Sequence, residues 1–175
     1  MTFHHVYGEK STQEYVFSDC GVCNLVDRAL DGYNTTVFAF GQTGSGKTFS
    51  ITGPDDVDFS PKDSGRWGIV PRSLNYLFQR IAERSASGET YVVRASYLEI
   101  YNEQVQDLLN PTNTSLPVRW TSEKGFYVEN LFVVQCEVLD DTMAVLEEGE
   151  FEQKPHSFRC EFRIEKSENR CNRFK

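Results

Sequence analysis

One octapeptide limits what this chain can fold into more than any other feature. It fits the pattern G-x-x-x-x-G-K-[ST] and consists of Gly41, Gln42, Thr43, Gly44, Ser45, Gly46, Lys47 and Thr48. A β-branched and aromatic run at 35–40 precedes it, which is typical of a strand buried on both faces, and a helix is predicted from Lys47 onward. This order of strand, loop and helix is the context in which the pattern binds phosphate, so we predict a triphosphate-binding loop.

Each residue type in the octapeptide has a chemical role in binding phosphate. Glycines let successive backbone N–H groups turn inward around a phosphate without a Cβ clash. The N-terminus of the following helix adds positive potential. Lys47 is expected to reach the β- and γ-phosphates, and the Thr48 hydroxyl to ligate Mg²⁺. The alternative is a glycine-rich turn that ends in an exposed lysine.

Charge and cysteine content exclude several classes of protein. The 175 residues carry a net charge of −8, which argues against general electrostatic binding of nucleic acid or of an anionic membrane. Five irregularly spaced cysteines do not suggest a disulfide framework and favour a reducing compartment. No apolar run approaches the roughly 20 residues of a membrane helix, and no secretory signal is visible at the N-terminus.

Apolar spacing predicts the remaining elements. Helices are predicted at 19–30, with Asp19 as N-cap, and at 70–82, 103–109 and 140–148. Strands are predicted at 90–101, 118–120, 126–128 and 132–138, with a surface loop at 54–68. The alternation of apolar residues at 158–164 suggests an edge strand. Composition shifts near Gly149, since 150–175 hold seven basic and five acidic residues whereas 1–149 hold 11 and 21.

Hydrolysis needs more than a phosphate-binding loop. A hydrolase of this type also uses a strand-end carboxylate near Mg²⁺ and a group that orients the attacking water. No D-x-x-G sequence is present, and Asp140 is better explained as a helix N-cap than as a metal ligand. We therefore find the binding half of such a site and not the hydrolytic half.

Three other patterns are poor candidates for metal sites. Cys20 and Cys23 form a C-x-x-C without a second ligand pair. His4 and His5 are adjacent, so in a strand they would point to opposite faces. The acidic stretch at 55–63 lacks the spacing of a calcium loop and is interpreted as solvated surface.

Four blocks in order resemble the kinesin motor family. The phosphate-loop block TVFAFGQTGSGKTFSITG is preceded by TFHHVYGEKSTQEYVF, and it is followed by GIVPRSLNYLF and by ASYLEIYNEQVQDLLNP. A fifth segment, GFYVENLFVVQCEVLDDTMAVLEEG, resembles the hairpin and helix that lead to the family's first switch. The resemblance covers about residues 2–149, which we assign to a partial motor domain, and leaves 150–175 as a divergent tail.

The resemblance implies an α/β fold of the P-loop NTPase type, with a central mixed sheet flanked by helices, here incomplete. It implies that Gly41 to Thr48 bind ATP or ADP with Mg²⁺ held at Thr48. It also places Phe49 where the family contacts adenine, although an aromatic in a first helical turn could equally be a packing residue. For the parent protein it implies ATP-driven movement on microtubules and a cytoplasmic, cytoskeletal location.

The departures from the family pattern define the alternatives. Neither γ-phosphate switch motif, N-x-x-S-S-R-S-H or D-L-A-G-S-E, is present, and the basic microtubule-contacting elements are missing. We therefore expect a motor-domain fragment that binds nucleotide, hydrolyses it poorly and exposes the unpaired strand at 36–40. The competing interpretations are a non-enzymatic interaction fragment and a phosphotransferase unrelated to motors. The phosphotransferase interpretation conflicts with the 40 residues that precede the loop, because small kinases of that type usually place the loop directly after a first strand near the N-terminus.

Overall fold

The chain divides into two units, one formed by Met1–Tyr91 with Lys166–Lys175 and the other by Val92–Glu165. The structure is a computed structural model that describes residues 2–112, 115–123, 125–151 and 158–167. Within that part of the chain, no helix has the length and apolar character needed to cross a membrane.

Helices make up the first unit. They are α1 (Gln13–Asp19), α2 (Val22–Leu30), α3 (Lys47–Ile51), a 3-10 helix (Pro61–Arg66) and α4 (Ile69–Ser85). Leu30 of α2 is buried, as are Leu74 and Leu77 on the apolar stripe of α4. A hydrogen-bonded ion pair between Arg80 Nε and Asp27 Oδ1, 2.8 Å apart, joins the same two helices. Apolar burial and this ion pair together fix α2 on α4.

The predicted helix at 19–30 is wrong at its N-terminal end. Asp19 is the last residue of α1, and α2 begins only at Val22 after an N-cap at Gly21. Gly21 has φ of +81°, a left-handed conformation that glycine adopts at little cost and that separates the two helices. Gly32, predicted just past the C-terminal end, has φ of +92° and terminates α2 as expected.

The apolar run at 35–40 does not form the predicted buried strand. No strand is assigned to these residues, and Phe38 and Phe40 are 81% and 91% exposed. Their rings stack on each other, with centroids 6.4 Å apart. A strand needs a partner for its backbone hydrogen bonds, and no described segment pairs with this run. The prediction of a strand buried on both faces is therefore not met in this structure.

Helix α4 confirms the prediction for 70–82 and extends it by one residue before and three after. Pro71 lies in its first turn, where the missing N–H costs little. The predicted surface loop at 54–68 is more ordered than expected because it contains the 3-10 helix and buries Phe59 and Trp67. The indole Nε1–H of Trp67 donates to the Asp58 carbonyl at 3.0 Å, which anchors this loop.

The second unit is built on a sheet. Its strands are β1 (Thr90–Tyr101), β2 (Gln104–Asp107), β3 (Val118–Thr121), β4 (Gly125–Val128), β5 (Val134–Cys136) and β6 (Phe158–Ser167). Strand β1 is antiparallel to both β2 and β5, and β6 also pairs with β1. Strands β3 and β4 form a separate antiparallel hairpin. The predicted strands at 90–101, 118–120, 126–128 and 158–164 are thus confirmed, and β5 occupies the centre of the predicted strand at 132–138.

The predicted helix at 103–109 is wrong, because Gln104–Asp107 form strand β2 and Glu103 belongs to the turn before it. Asn102 and Glu103 have φ of +48° and +63°, which is the conformation of a two-residue hairpin turn, and Tyr101 pairs with Gln104 across it. Val105 on β2 then joins a buried apolar cluster with Leu98. The tight turn and this burial override the helical spacing of the sequence.

Helix α5 (Leu139–Phe151) confirms the predicted helix at 140–148 and packs closely on β1. A Cβ added to Gly149 would lie 1.7 Å from Cδ1 of Tyr97, whose side chain is completely buried. Glycine is therefore required at this contact. The capping carboxylate of α5 is Asp141, which accepts from the backbone N–H groups of Glu137 and Val138 at 2.7 and 3.1 Å. Asp140, the predicted N-cap, is an exposed residue of the first turn.

Candidate functional site

The candidate site is the loop at 41–46, which leads directly into α3. Gly44 and Gly46 have φ of +77° and +84°, so both use backbone conformations that other residues rarely adopt. A Cβ on Gly41 would lie 2.4 Å from the Ser45 side-chain oxygen. The backbone conformation therefore favours glycine at Gly44 and Gly46, whereas a Cβ at Gly41 would require the Ser45 side chain to shift. The loop is exposed from Gln42 to Gly46, which leaves it open to a ligand.

Lys47 closes the loop on itself. Its Nζ donates to the carbonyl oxygens of Gly41 and Gln42, each at 2.9 Å. The two bonds bring the ammonium group back to the first residues of the loop and hold the segment in an arch. Two of the three N–H donors of the ammonium group are engaged in this way. A phosphate oxygen placed over the loop would compete for the same donors with a full negative charge.

Helix α3 begins at Lys47, as predicted, and is held from its C-terminal side. Thr52, its C-cap, is buried, and the Gly68 N–H donates to the Thr52 carbonyl at 2.8 Å. A Cβ on Gly68 would lie 2.6 Å from the Ile51 carbonyl oxygen, so the loop before α4 can approach α3 this closely only with glycine there. Thr48 is half-buried on α3, and Phe49 beside it is 54% exposed.

A second contact to α3 comes from α1. The side-chain Nε2 of Gln13, the first residue of α1, donates to the Phe49 carbonyl at 2.6 Å. The sequence motif does not include Gln13, and sequence reasoning missed it. A single glutamine 36 positions before its partner leaves no spacing signal that could have revealed the bond.

An aromatic and acidic cluster lies near the start of the chain. The Asp19 carboxylate accepts from the Tyr7 hydroxyl at 3.1 Å and lies 2.9 Å from Nδ1 of His5. Partial desolvation, together with the hydrogen bond to Asp19, raises the pKa of Tyr7 to about 12. The contacts of Tyr7 and His5 with Asp19 tie the first residues of the chain to the C-terminal end of α1.

The two cysteines of the C-x-x-C pattern lie on either side of the break between α1 and α2. Cys20 caps the C-terminus of α1 and Cys23 lies in α2, and both are free thiols. Burial raises the pKa of the Cys23 thiol, which disfavours the reactive thiolate. Across the described residues, no three His, Cys, Asp or Glu side chains form a group that could hold a metal ion.

Comparisons with known proteins agree with one another. The family model of the kinesin motor domain matches residues 1–167. The chain is 47% identical over 140 residues to the mouse kinesin-like protein KIF12, covering 79% of this chain and 21% of that protein. It is 42% identical over 156 residues to the rice kinesin-like protein KIN-12E, covering 85% of this chain and 8% of the relative.

A solved structure shows the same likeness in three dimensions. The structure of a fast kinesin superimposes with a TM-score of 0.83 at 33% identity, covering 94% of this chain and 47% of that one. The chain therefore spans about half of the solved structure and about a fifth or less of these two relatives. The family match reaches beyond Gly149 and includes all of β6, while the predicted division of the chain at 149/150 stays a prediction.

Proposed function

The chain belongs to the kinesin motor domain family, a family of microtubule motors, and on that premise we propose that Gly41 to Thr48 bind ATP and ADP. The observation that carries this proposal is the geometry of the loop. Gly44 and Gly46 have left-handed conformations, and the Lys47 ammonium group donates to the carbonyl oxygens of Gly41 and Gln42. A glycine-rich loop at a helix N-terminus together with one cation is the chemistry that a polyphosphate requires.

The residues around the loop suit the other parts of a nucleotide. Thr48 is proposed as the Mg²⁺ ligand, since a hydroxyl next to the lysine of this motif is the oxygen that the metal takes when bound. Of the remaining loop residues, Gln42 and Thr43 are proposed to contribute backbone N–H groups, while the Ser45 N–H donates to the Gln42 carbonyl at 3.2 Å. Phe49, 54% exposed, offers an aromatic face for the adenine base.

We propose that the 175-residue polypeptide by itself hydrolyses ATP poorly. Its sequence contains neither of the two switch motifs that the family uses to sense the γ-phosphate. Without a group that positions water, binding is expected to persist and turnover to be low. Movement along microtubules in the cytoplasm is proposed for the parent motor, and microtubule binding is not proposed for this polypeptide alone.

A second candidate function is a non-enzymatic interaction fragment. The observation that favours it is the exposed run at 35–40, where Phe38 and Phe40 present stacked apolar rings to solvent. Such a fragment could associate with other chains without binding nucleotide.

Nucleotide titration separates the two candidates. We expect a fluorescent ADP analogue to bind with Mg²⁺ present, and Lys47→Ala to weaken binding by about tenfold or more, since a charge-assisted contact to phosphate is lost. Lys62→Ala, in the exposed 3-10 segment, is the matched control and should bind like the unaltered chain. Absence of binding at millimolar nucleotide would reject the first candidate and favour the second.

A further inference from the structure

We propose that Gln13 is a positioning residue for the nucleotide loop, acting through the main chain of α3. The juxtaposition that suggests it is the 2.6 Å hydrogen bond from Gln13 Nε2 to the Phe49 carbonyl. This inference rests on the proposed nucleotide binding and adds a residue outside the motif to that site.

Helix α3 is too short to hold itself in place. It has five residues, no side chain caps its N-terminus at Gly46, and none of its own residues is fully buried. Isolated helices of this length are far below the size at which helix formation becomes favourable in water. The position of α3 must therefore come from contacts outside it.

The Phe49 carbonyl lies where the helical hydrogen bonding ends. In a continuing α-helix it would accept from the N–H of Gly53, four residues later. The Gly53 N–H instead points to the Thr48 carbonyl at 3.3 Å, which the Thr52 N–H also reaches at 2.8 Å. Gln13 supplies a side-chain donor to a carbonyl that the helix leaves exposed, in the manner of a helix C-cap.

Gln13 is itself held by the start of α1. It is the first helical residue, and its neighbour Thr12 is the N-cap, whose hydroxyl oxygen accepts from the Tyr15 N–H at 3.2 Å. A side chain that leaves from a capped helix end has a fixed origin. The bond to Phe49 can therefore restrain α3 and not merely follow its movements.

The expected consequence is a change in apparent affinity. Loop amides bind phosphate only when α3 is formed behind them, and affinity falls in proportion to the fraction of molecules in that state. Loss of one hydrogen bond from this restraint should weaken nucleotide binding by about threefold to tenfold. It should also speed hydrogen exchange at the Ser50 and Thr52 amides, which bond within α3 and its C-cap.

The test compares Gln13→Met, which keeps the length and removes the donor, with Gln13→Lys, which keeps N–H donors. Gln79→Met, exposed on α4, is the matched control. We expect Gln13→Met to raise the dissociation constant of the fluorescent ADP analogue by about threefold to tenfold. Exchange at Ser50 and Thr52 should be faster in that variant, with an unchanged melting temperature, and Gln13→Lys should restore the slow exchange.

Two results would overturn the proposal: Gln13→Met with unchanged exchange in α3, or an equal loss of affinity in Gln79→Met. If the unaltered chain binds no nucleotide, the proposed function fails on its own. In that case the exchange rates, measured without ligand, still decide whether Gln13 holds α3.

Discussion

Removal of Asp107 should strongly destabilise the second unit, although the sequence shows this residue only as one carboxylate among many. It is 1% exposed, and its carboxylate accepts three backbone N–H groups. Oδ1 accepts from Leu109 and Asn110 at 3.0 and 3.2 Å, and Oδ2 from Phe132 at 2.8 Å. One side chain thus shapes the end of β2 and ties it to the segment before β5.

The magnitude follows from these bonds. A hydrogen bond to a charged group contributes about 1.5–3 kcal/mol, and bonds that share one carboxylate do not add fully. Asp107→Ala should therefore lower the free energy of unfolding by about 3–5 kcal/mol. Asp107→Asn keeps an oxygen for Leu109 and Asn110 but turns an NH₂ group toward the Phe132 N–H, so it should cost about 1–3 kcal/mol.

Urea unfolding followed by far-UV circular dichroism measures both losses. Asp140→Asn, an exposed carboxylate in the first turn of α5, serves as control and should change stability by less than about 1 kcal/mol. Hydrogen exchange at the Phe132 amide should accelerate in both Asp107 variants, and at Leu109 mainly in the alanine variant. Equal losses for the two variants, or a loss for Asp107→Ala no larger than the control's, would refute the reasoning.

Two further predictions concern packing and pH. Gly149→Ala should destabilise the second unit by about 3 kcal/mol, because the new methyl group meets the buried Tyr97 ring at 1.7 Å; an unchanged urea midpoint would contradict this. Burial raises the pKa of Asp27, but hydrogen bonds from Arg80 and Tyr76 outweigh it and leave that pKa below its usual value. The stability from Asp27 is therefore present above about pH 4 and lost as pH falls further. On acidification from about pH 5 to pH 2, the urea midpoint of the unaltered chain should fall more than that of Asp27→Asn. Parallel pH profiles of the two midpoints would count against a stabilising role of the Asp27 carboxylate.

Sequence periodicity is sufficient to predict an element where a single pattern of apolar residues extends along the whole segment. The stripe of apolar residues on α4 and the long β1 run each predicted an element whose bounds agree with the structure to within a few residues. The spacing of Val105, Leu108 and Leu109 fits a short helix. All three side chains are nevertheless buried, and they follow a hairpin turn formed by Asn102 and Glu103, both in the left-handed conformation. Local spacing cannot reveal that choice, because tertiary burial decides it.

The candidate site likewise contains residues that a local sequence pattern predicts and one residue that it does not. Its glycines and Lys47 follow from backbone geometry and charge, which a motif records directly, and the structure gives each a matching conformation or contact. Gln13 acts through one bond between segments far apart in sequence, so no local pattern predicts it. The run at 35–40 failed as a predicted strand for a related reason, since a strand depends on partners that its own residues do not specify.

The turn at Asn102 and Glu103 has a consequence for the order in which the sheet assembles. Tyr101 and Gln104 meet across three positions of chain, whereas Val93 meets Cys136 across a separation of 43 positions. Closing the short loop costs far less chain entropy, and both arms of the hairpin are synthesised before β5. The hairpin can thus serve as a template that is already formed when the later strand arrives.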